Sequence, residues 1–163
     1  IGDTLTSDPR VVYKEMPRFT PECFAYILNK DTAGIKRYRS GMEQLMKEGV
    51  AQAYQVHRSA QAVPLLGAVG PLQFEVMQAR LAAEYQVETR LETPSWTVVQ
   101  WFEEKEPDSS RGELDPPKVQ LPSGCSVARD QDGQWAVLLP VKYLTSILHD
   151  RNEHLIFRDH ASD

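Results

Sequence analysis

Six short segments, ordered strand, helix, strand, strand, helix, strand, predict an α+β fold over residues 16–92. Three observations carry that prediction. Residues 23–29 (CFAYILN) alternate like a half-buried strand, residues 32–48 carry an apolar stripe at helical spacing, and Gly70-Pro71 opens a second helical stretch. The order is the split βαβ, or ferredoxin-like, arrangement: a four-stranded antiparallel sheet with both helices on one face. The other face must then be solvated or covered by a partner. Residues 93–163 read as a smaller, irregular α+β extension, and residues 1–15 as a strand end running into a linker.

Each element has its local reason. Pro17 and Pro21 favour extended backbone ahead of the first strand, which places Phe24, Tyr26 and Leu28 on one face and Ala25 and Ile27 on the other. Asp31 can cap the first helix by accepting amide protons of its first turn. Ile35, Tyr38, Met42, Leu45 and Met46 form its apolar stripe, and Gly49 suits a left-handed stop. Residues 50–56 and 63–69 read as strands, the second more apolar and therefore more central. The second helix runs to about residue 84, followed by a strand at 87–91. In that helix Leu72, Val76, Ala79 and Ala83 form one stripe, and Phe74, Met77, Leu81 and Tyr85 another, nearly opposite. One stripe covers the sheet. The other needs its own cover, from the first helix or from a neighbouring domain, and Phe74, Met77, Leu81 and Tyr85 are the candidate interface in the second case.

Beyond Thr93-Pro94, residues 96–102 (WTVVQWF) form a strong strand. The acidic, proline-bearing stretch 103–117 reads as a mobile loop. Residues 126–129 and 134–139 form a hairpin around Asp132-Gly133, residues 141–151 suit a helix, and 155–157 a closing strand.

Composition narrows the function classes. The chain has 163 residues, 41% of them hydrophobic and 25% charged, with no apolar run long enough for a spanning helix and no secretory signal pattern. It begins at Ile1, as a fragment or a processed product is expected to. Cys23 and Cys125 make neither a disulfide framework nor a zinc site, so a reducing, cytoplasmic setting is expected. Residues 1–92 carry 11 Lys and Arg against 11 Asp and Glu, whereas residues 93–163 carry 7 against 12, so the net charge of −5 lies entirely in the second part. No general basic field for nucleic acid exists. The best local basic patch is Lys36, Arg37, Arg39 and Lys47 on the first helix, extended by Arg18, Lys30 and Arg58. It is read either as a solvated helix face or as a phosphate-contacting surface for RNA.

Candidate chemistry is sparse. No GxxxxGK[ST] phosphate loop is present. His149, His154 and His160 match no zinc spacing, and Asp130, Asp132 and Gly133 lack the first and last ligands of a calcium loop. Ser123-Gly124-Cys125-Ser126 has no neighbouring base. No catalytic, cofactor or metal-binding residue is assigned, and a small enzyme is the least favoured reading.

The residues do carry a family resemblance. Ile1-Gly2-Asp3-Thr4-Leu5-Thr6 resembles the closing strand of the β-barrel domain of translational GTPases. Leu66-Gly67-Ala68-Val69-Gly70-Pro71-Leu72-Gln73-Phe74-Glu75-Val76, with Arg80-Leu81 and residues 84–88 (EYQVE), looks like the strand–helix–strand of the following domain, a segment similar to one in elongation factor G. Residues 17–24 (PRFTPECF) resemble the bacterial peptide-chain release factor 3 family, close over about 16–92 and looser after Trp96. The acidic stretch 103–117 departs from the family, which looks more helical there.

The resemblance implies a C-terminal, non-catalytic domain of a GTPase that promotes recycling of codon-reading release factors at translation termination. GTP or GDP and Mg would sit on an upstream domain, and residues 1–15 would end an upstream β-barrel. Implied partners are the small-subunit RNA and protein of the ribosome, the upstream GTPase and barrel domains, and indirectly the release factors. The domain is expected to be monomeric and without membrane contact. The alternative is a stand-alone RNA- or protein-binding module of ferredoxin-like fold.

Overall fold

A computed structural model describes residues 19–112 and 114–162, so the expectations for 1–15 and for residues 16–18 lie outside the described residues. Eight strands and three helices follow in order: β1 (Cys23–Asn29), α1 (Ile35–Lys47), β2 (Gln52–Val56), β3 (Leu65–Ala68), α2 (Leu72–Tyr85), β4 (Thr89–Glu92), β5 (Val98–Glu104), β6 (Ser126–Asp130), β7 (Trp135–Leu139), α3 (Leu144–Arg151) and β8 (Leu155–Arg158). The fold is α+β, and β1 to β4 take the ferredoxin-like order β4-β1-β3-β2 with antiparallel pairing.

The sheet does not stop there. β2 pairs antiparallel with β6, Tyr54 facing Asp130 and Val56 facing Ala128, and the sheet runs on through β7, β5 and β8. The extension therefore continues the first sheet edge to edge, giving eight strands in one sheet. Sequence alternation could not foresee this, because the β2–β6 ladder joins residues more than 70 positions apart.

Pairing fixes which side chains share a face. Ala25, Ile27, Leu66 and Ala68 point to one side, where they pack with Tyr38, Met42 and Leu45 of α1 and Phe74, Met77 and Leu81 of α2. Phe24, Tyr26, Tyr54 and Leu65 point to the other, and pack with Val99, Trp101, Ala128, Ala136 and Leu138 of the second four strands. β2 and β5 are three strand spacings apart, about 14 Å in a flat sheet. The Tyr54 and Trp101 ring centroids nevertheless lie 6.3 Å apart. The sheet is thus curled along β2 and β6, and its two halves close on one another. The face that needed a cover finds it in the chain's own second half. On the outer face of that half, α3 seats Leu144 and Leu148 against Phe102, Val127, Val137, Leu139 and Leu155. All three helices therefore lie outside the curl.

Local signals explain the element ends. The Asp31 carboxylate accepts the Ala33 amide at 2.9 Å, but the turn it caps, Thr32–Gly34, is a 3-10 turn that leads into α1. Gly49, at φ +72°, ends α1 by sending its amide to the Met46 carbonyl. At the start of α2 the Gln73 side-chain oxygen accepts the amides of Val69 and Gly70, at 2.8 and 3.2 Å. At Gly41 the two helices touch: a Cβ there would stand 2.7 Å from Leu81 Cδ2 and 2.9 Å from the Tyr85 ring. Close backbone approach is what glycine permits.

Candidate functional site

The basic patch of α1 is where the sequence puts it. Lys36, Arg37, Arg39 and Lys47 are all exposed. They do not form one row. Lys47 is engaged by Glu43 one turn back, Nζ to Oε1 2.7 Å, which holds the Glu43 carboxyl below its usual range. Arg37 leans instead toward the loop of Asn29, Lys30 and Asp31 with Gln86 and Glu88, where it lines a shallow cleft of about 280 Å³. Lys30 joins that side, while Arg58 lies beyond the far end of β2 and is part of a different surface.

The candidate interface of α2 is corrected. Phe74, Met77 and Leu81 are buried in the core beneath α1, and Tyr85 packs half-buried beside them. Burying each such side chain contributes about 1.5–3 kcal/mol, which is why they turn inward. The stripe left outward is the other one: Leu72 is 66% and Val76 44% exposed.

The acidic stretch is also more structured than a loop reading gives. Glu103 and Glu104 belong to β5. Glu103 pairs with Arg158 on β8, and Glu104 with Arg111, which holds the Glu104 carboxyl low. Asp108 makes a local turn by accepting the Ser110 amide at 2.9 Å. Glu103, Glu104, Arg111 and Arg158, with Trp101, Phe102, Pro107, Pro117 and Trp135, line a cleft of about 470 Å³.

The other sequence candidates have structural partners. His149 donates its Nε2–H to Gln100 Oε1 at 2.7 Å and stacks on Phe157. His154 Nε2 reaches the Lys118 carbonyl at 2.8 Å. Asp130 holds its hairpin, one oxygen accepting the Asp132 and Gln134 amides and the other the Trp101 indole N–H. Burial pushes both thiols, Cys23 and Cys125, up, away from the nucleophilic thiolate. Among the described residues no three His, Cys, Asp or Glu side chains gather as a metal site.

Sequence reasoning missed one cluster. Gln55 of β2, Arg129 of β6 and Trp135 of β7 follow one another across paired strands, Gln55 opposite Arg129 and Arg129 opposite Trp135. They lie on the outer face, where Trp135 packs against the edge of the α3 core. The Arg129 guanidinium sits 5.5 Å from the indole centroid, and His57 meets the same ring edge-on at 6.2 Å. Arg58 follows with φ +56°. The Asp-Gly turn already implied that Arg129 and Trp135 face each other. The approach of His57 and Arg58 depends on β2–β6 pairing and was not readable.

Fold and surface together define an α+β domain with cationic and aromatic features outside and apolar layers inside. Comparison with known proteins is consistent along the chain. The family described as class II release factor RF3, C-terminal domain, matches residues 13–149. Peptide chain release factor 3 of Symbiobacterium thermophilum is 35% identical over 97% of this chain, covering 28% of that protein. The same factor of Gloeobacter violaceus is 32% identical over 99% of the chain and 29% of that protein, and that of a Synechocystis strain 41% identical over 64% and 19%. The chain belongs to the C-terminal domain family of release factor 3, a family of translation termination and protein biosynthesis. It spans less than a third of the length of these relatives.

Proposed function

We propose that this chain is the C-terminal, non-catalytic domain of a release-factor-3-like translational GTPase, and that it docks on the ribosome so that the intact factor recycles codon-reading release factors after peptide release. The observation that supports this reading is the family match over most of the chain. In this reading GTP or GDP and Mg are held by upstream domains. The protein acts as a monomer in the cytoplasm, and no helix among the described residues is long and apolar enough to cross a membrane. The outward Leu72 and Val76 are the apolar surface that α2 leaves to those upstream domains.

The physical role is one of state selection. A domain biases a conformational equilibrium only if it binds one state better than another. Lys36, Arg37, Arg39 and Lys47 supply exposed positive charge for ribosomal RNA, positioning the factor without reading sequence. The test uses the intact factor, post-termination ribosomes and a fluorescent codon-reading release factor. The wild type is expected to accelerate departure of the labelled factor. Replacing the four basic residues by Ala is expected to weaken ribosome binding and flatten its dependence on salt. An intact wild-type factor that neither binds ribosomes nor speeds that departure overturns the reading. An unchanged salt slope in the fourfold variant removes α1 from it.

A further inference from the structure

We infer that the cleft on the outer face of β2, β6 and β7 binds an unpaired nucleotide of ribosomal RNA, its base stacked on the Arg129–Trp135 layer and its phosphate held by Arg58. This deepens the ribosome-docking reading and rests on it. The cleft measures about 260 Å³ and is lined by Gln55, Val56, His57, Arg58, Ser59, Leu114, Arg129 and Trp135.

Three features suit a nucleotide. The first is a layered platform built in advance. Arg129 is fixed over the half-buried Trp135 by donating its Nε–H to the Gly133 carbonyl at 2.9 Å. Gly133, at φ +84°, leaves the room, since a Cβ there would stand 3.1 Å from the Arg129 guanidinium. Indole rings and guanidinium planes are the surfaces on which unpaired bases stack. The second is Arg58. It occupies a left-handed turn position where glycine or asparagine is the low-energy choice, and its exposed side chain places a positive charge beside the platform. The third is the polar wall of Gln55 and Ser59, able to donate to and accept from a base edge. An acidic peptide would answer Arg58 but would leave the aromatic platform without a partner. On this outer face Trp135 packs against the edge of the α3 core, and Leu114 closes one side of the cleft.

The test measures binding of the intact factor to purified small ribosomal subunits across a salt series, with ultraviolet crosslinking of the bound complex. Arg58→Gly removes the charge and relieves the turn, so its thermal midpoint is expected to hold or rise while ribosome affinity falls and the salt slope drops by about one. Trp135→Ala is expected to weaken binding about five- to a hundredfold, the range for losing one base–aromatic stack, with an unchanged salt slope. Trp135→Phe keeps a ring and is expected to recover most of that loss, which separates stacking from folding. A wild-type crosslink mapping to ribosomal RNA supports the proposal. Wild-type affinity in both Arg58→Gly and Trp135→Ala, or a crosslink from Trp135 to ribosomal protein alone, overturns it. If those variants bind normally while the fourfold α1 variant is weakened, only the cleft proposal fails. If the wild type itself does not bind, the docking reading fails instead.

Discussion

The two halves of the sheet solve the same problem in opposite ways. β1 to β4 bury one face under two helices whose stripes are written in the local sequence. β5 to β8 bury one face under a single short helix, α3, and the other against the first half. The first half takes its helical cover from neighbours in sequence, whereas the face the two halves share is covered on both sides by partners far away. Local pattern specifies only the first kind of contact. The second half stays α+β in any reading, but its place in the molecule depends on the β2–β6 ladder and on Tyr54 meeting Trp101.

The contrast can be broken most sharply at that meeting. Trp101→Ala removes a buried ring that touches Tyr54 and donates to Asp130, and a loss of about 3–5 kcal/mol is expected. Urea unfolding followed by far-ultraviolet dichroism and by the remaining tryptophans is expected to stay a single coincident transition. Two separated transitions would mean that the halves are independent.

A somewhat smaller effect is expected from Asn152→Ala. This side chain is fully buried below α3, accepts the Gln120 amide at 2.6 Å and donates to the carbonyls of Gln120 and Leu148. Its loss leaves buried backbone groups unpaired, at about 2–3 kcal/mol. The deficit should appear first as faster amide exchange in residues 119–121 and in α3, not in α1.

Gly41→Ala sharpens the picture from the other side. The added methyl collides with Leu81 and Tyr85, and about 1–3 kcal/mol of destabilisation is expected from separating α1 and α2. Exchange should then accelerate in the two helices and leave α3 protected.

The smallest expected effect concerns pH. Arg80 on α2 binds Glu48 beyond α1 and Glu84 on its own helix, holding both carboxyls below their usual range. A depressed carboxyl stabilises the fold above the unfolded-state value, and that contribution fades as pH falls through the folded one. Arg80→Gln is expected to lower stability slightly near neutral pH and to flatten the acid limb of a melting-temperature profile. An acid limb identical to wild type would show that the cluster is fully screened.

How far the sequence could be read follows the same division. The strand at residues 23–29, both helices of the first half and the hairpin at Asp132-Gly133 were legible because alternation, helical spacing and turn chemistry are local. For α2 the sequence left open whether Phe74, Met77, Leu81 and Tyr85 meet the first helix or a neighbouring domain, and the structure packs them with α1. Either stripe satisfies helical spacing, and only the packing of α1 at Gly41 decides between them. The exposed charges of α1 were legible as a surface. The Arg129–Trp135–His57 cluster was not, because three strands must first be laid side by side.

The curl has a mechanical consequence. With one hydrogen-bonded sheet running from β4 to β8, and the two halves locked across Tyr54 and Trp101, there is no linker between them at which to bend. Bending would require tearing the β2–β6 ladder and wetting the aromatic seam together. A torque applied at the exposed end of α1 would therefore reach α3 with little slack.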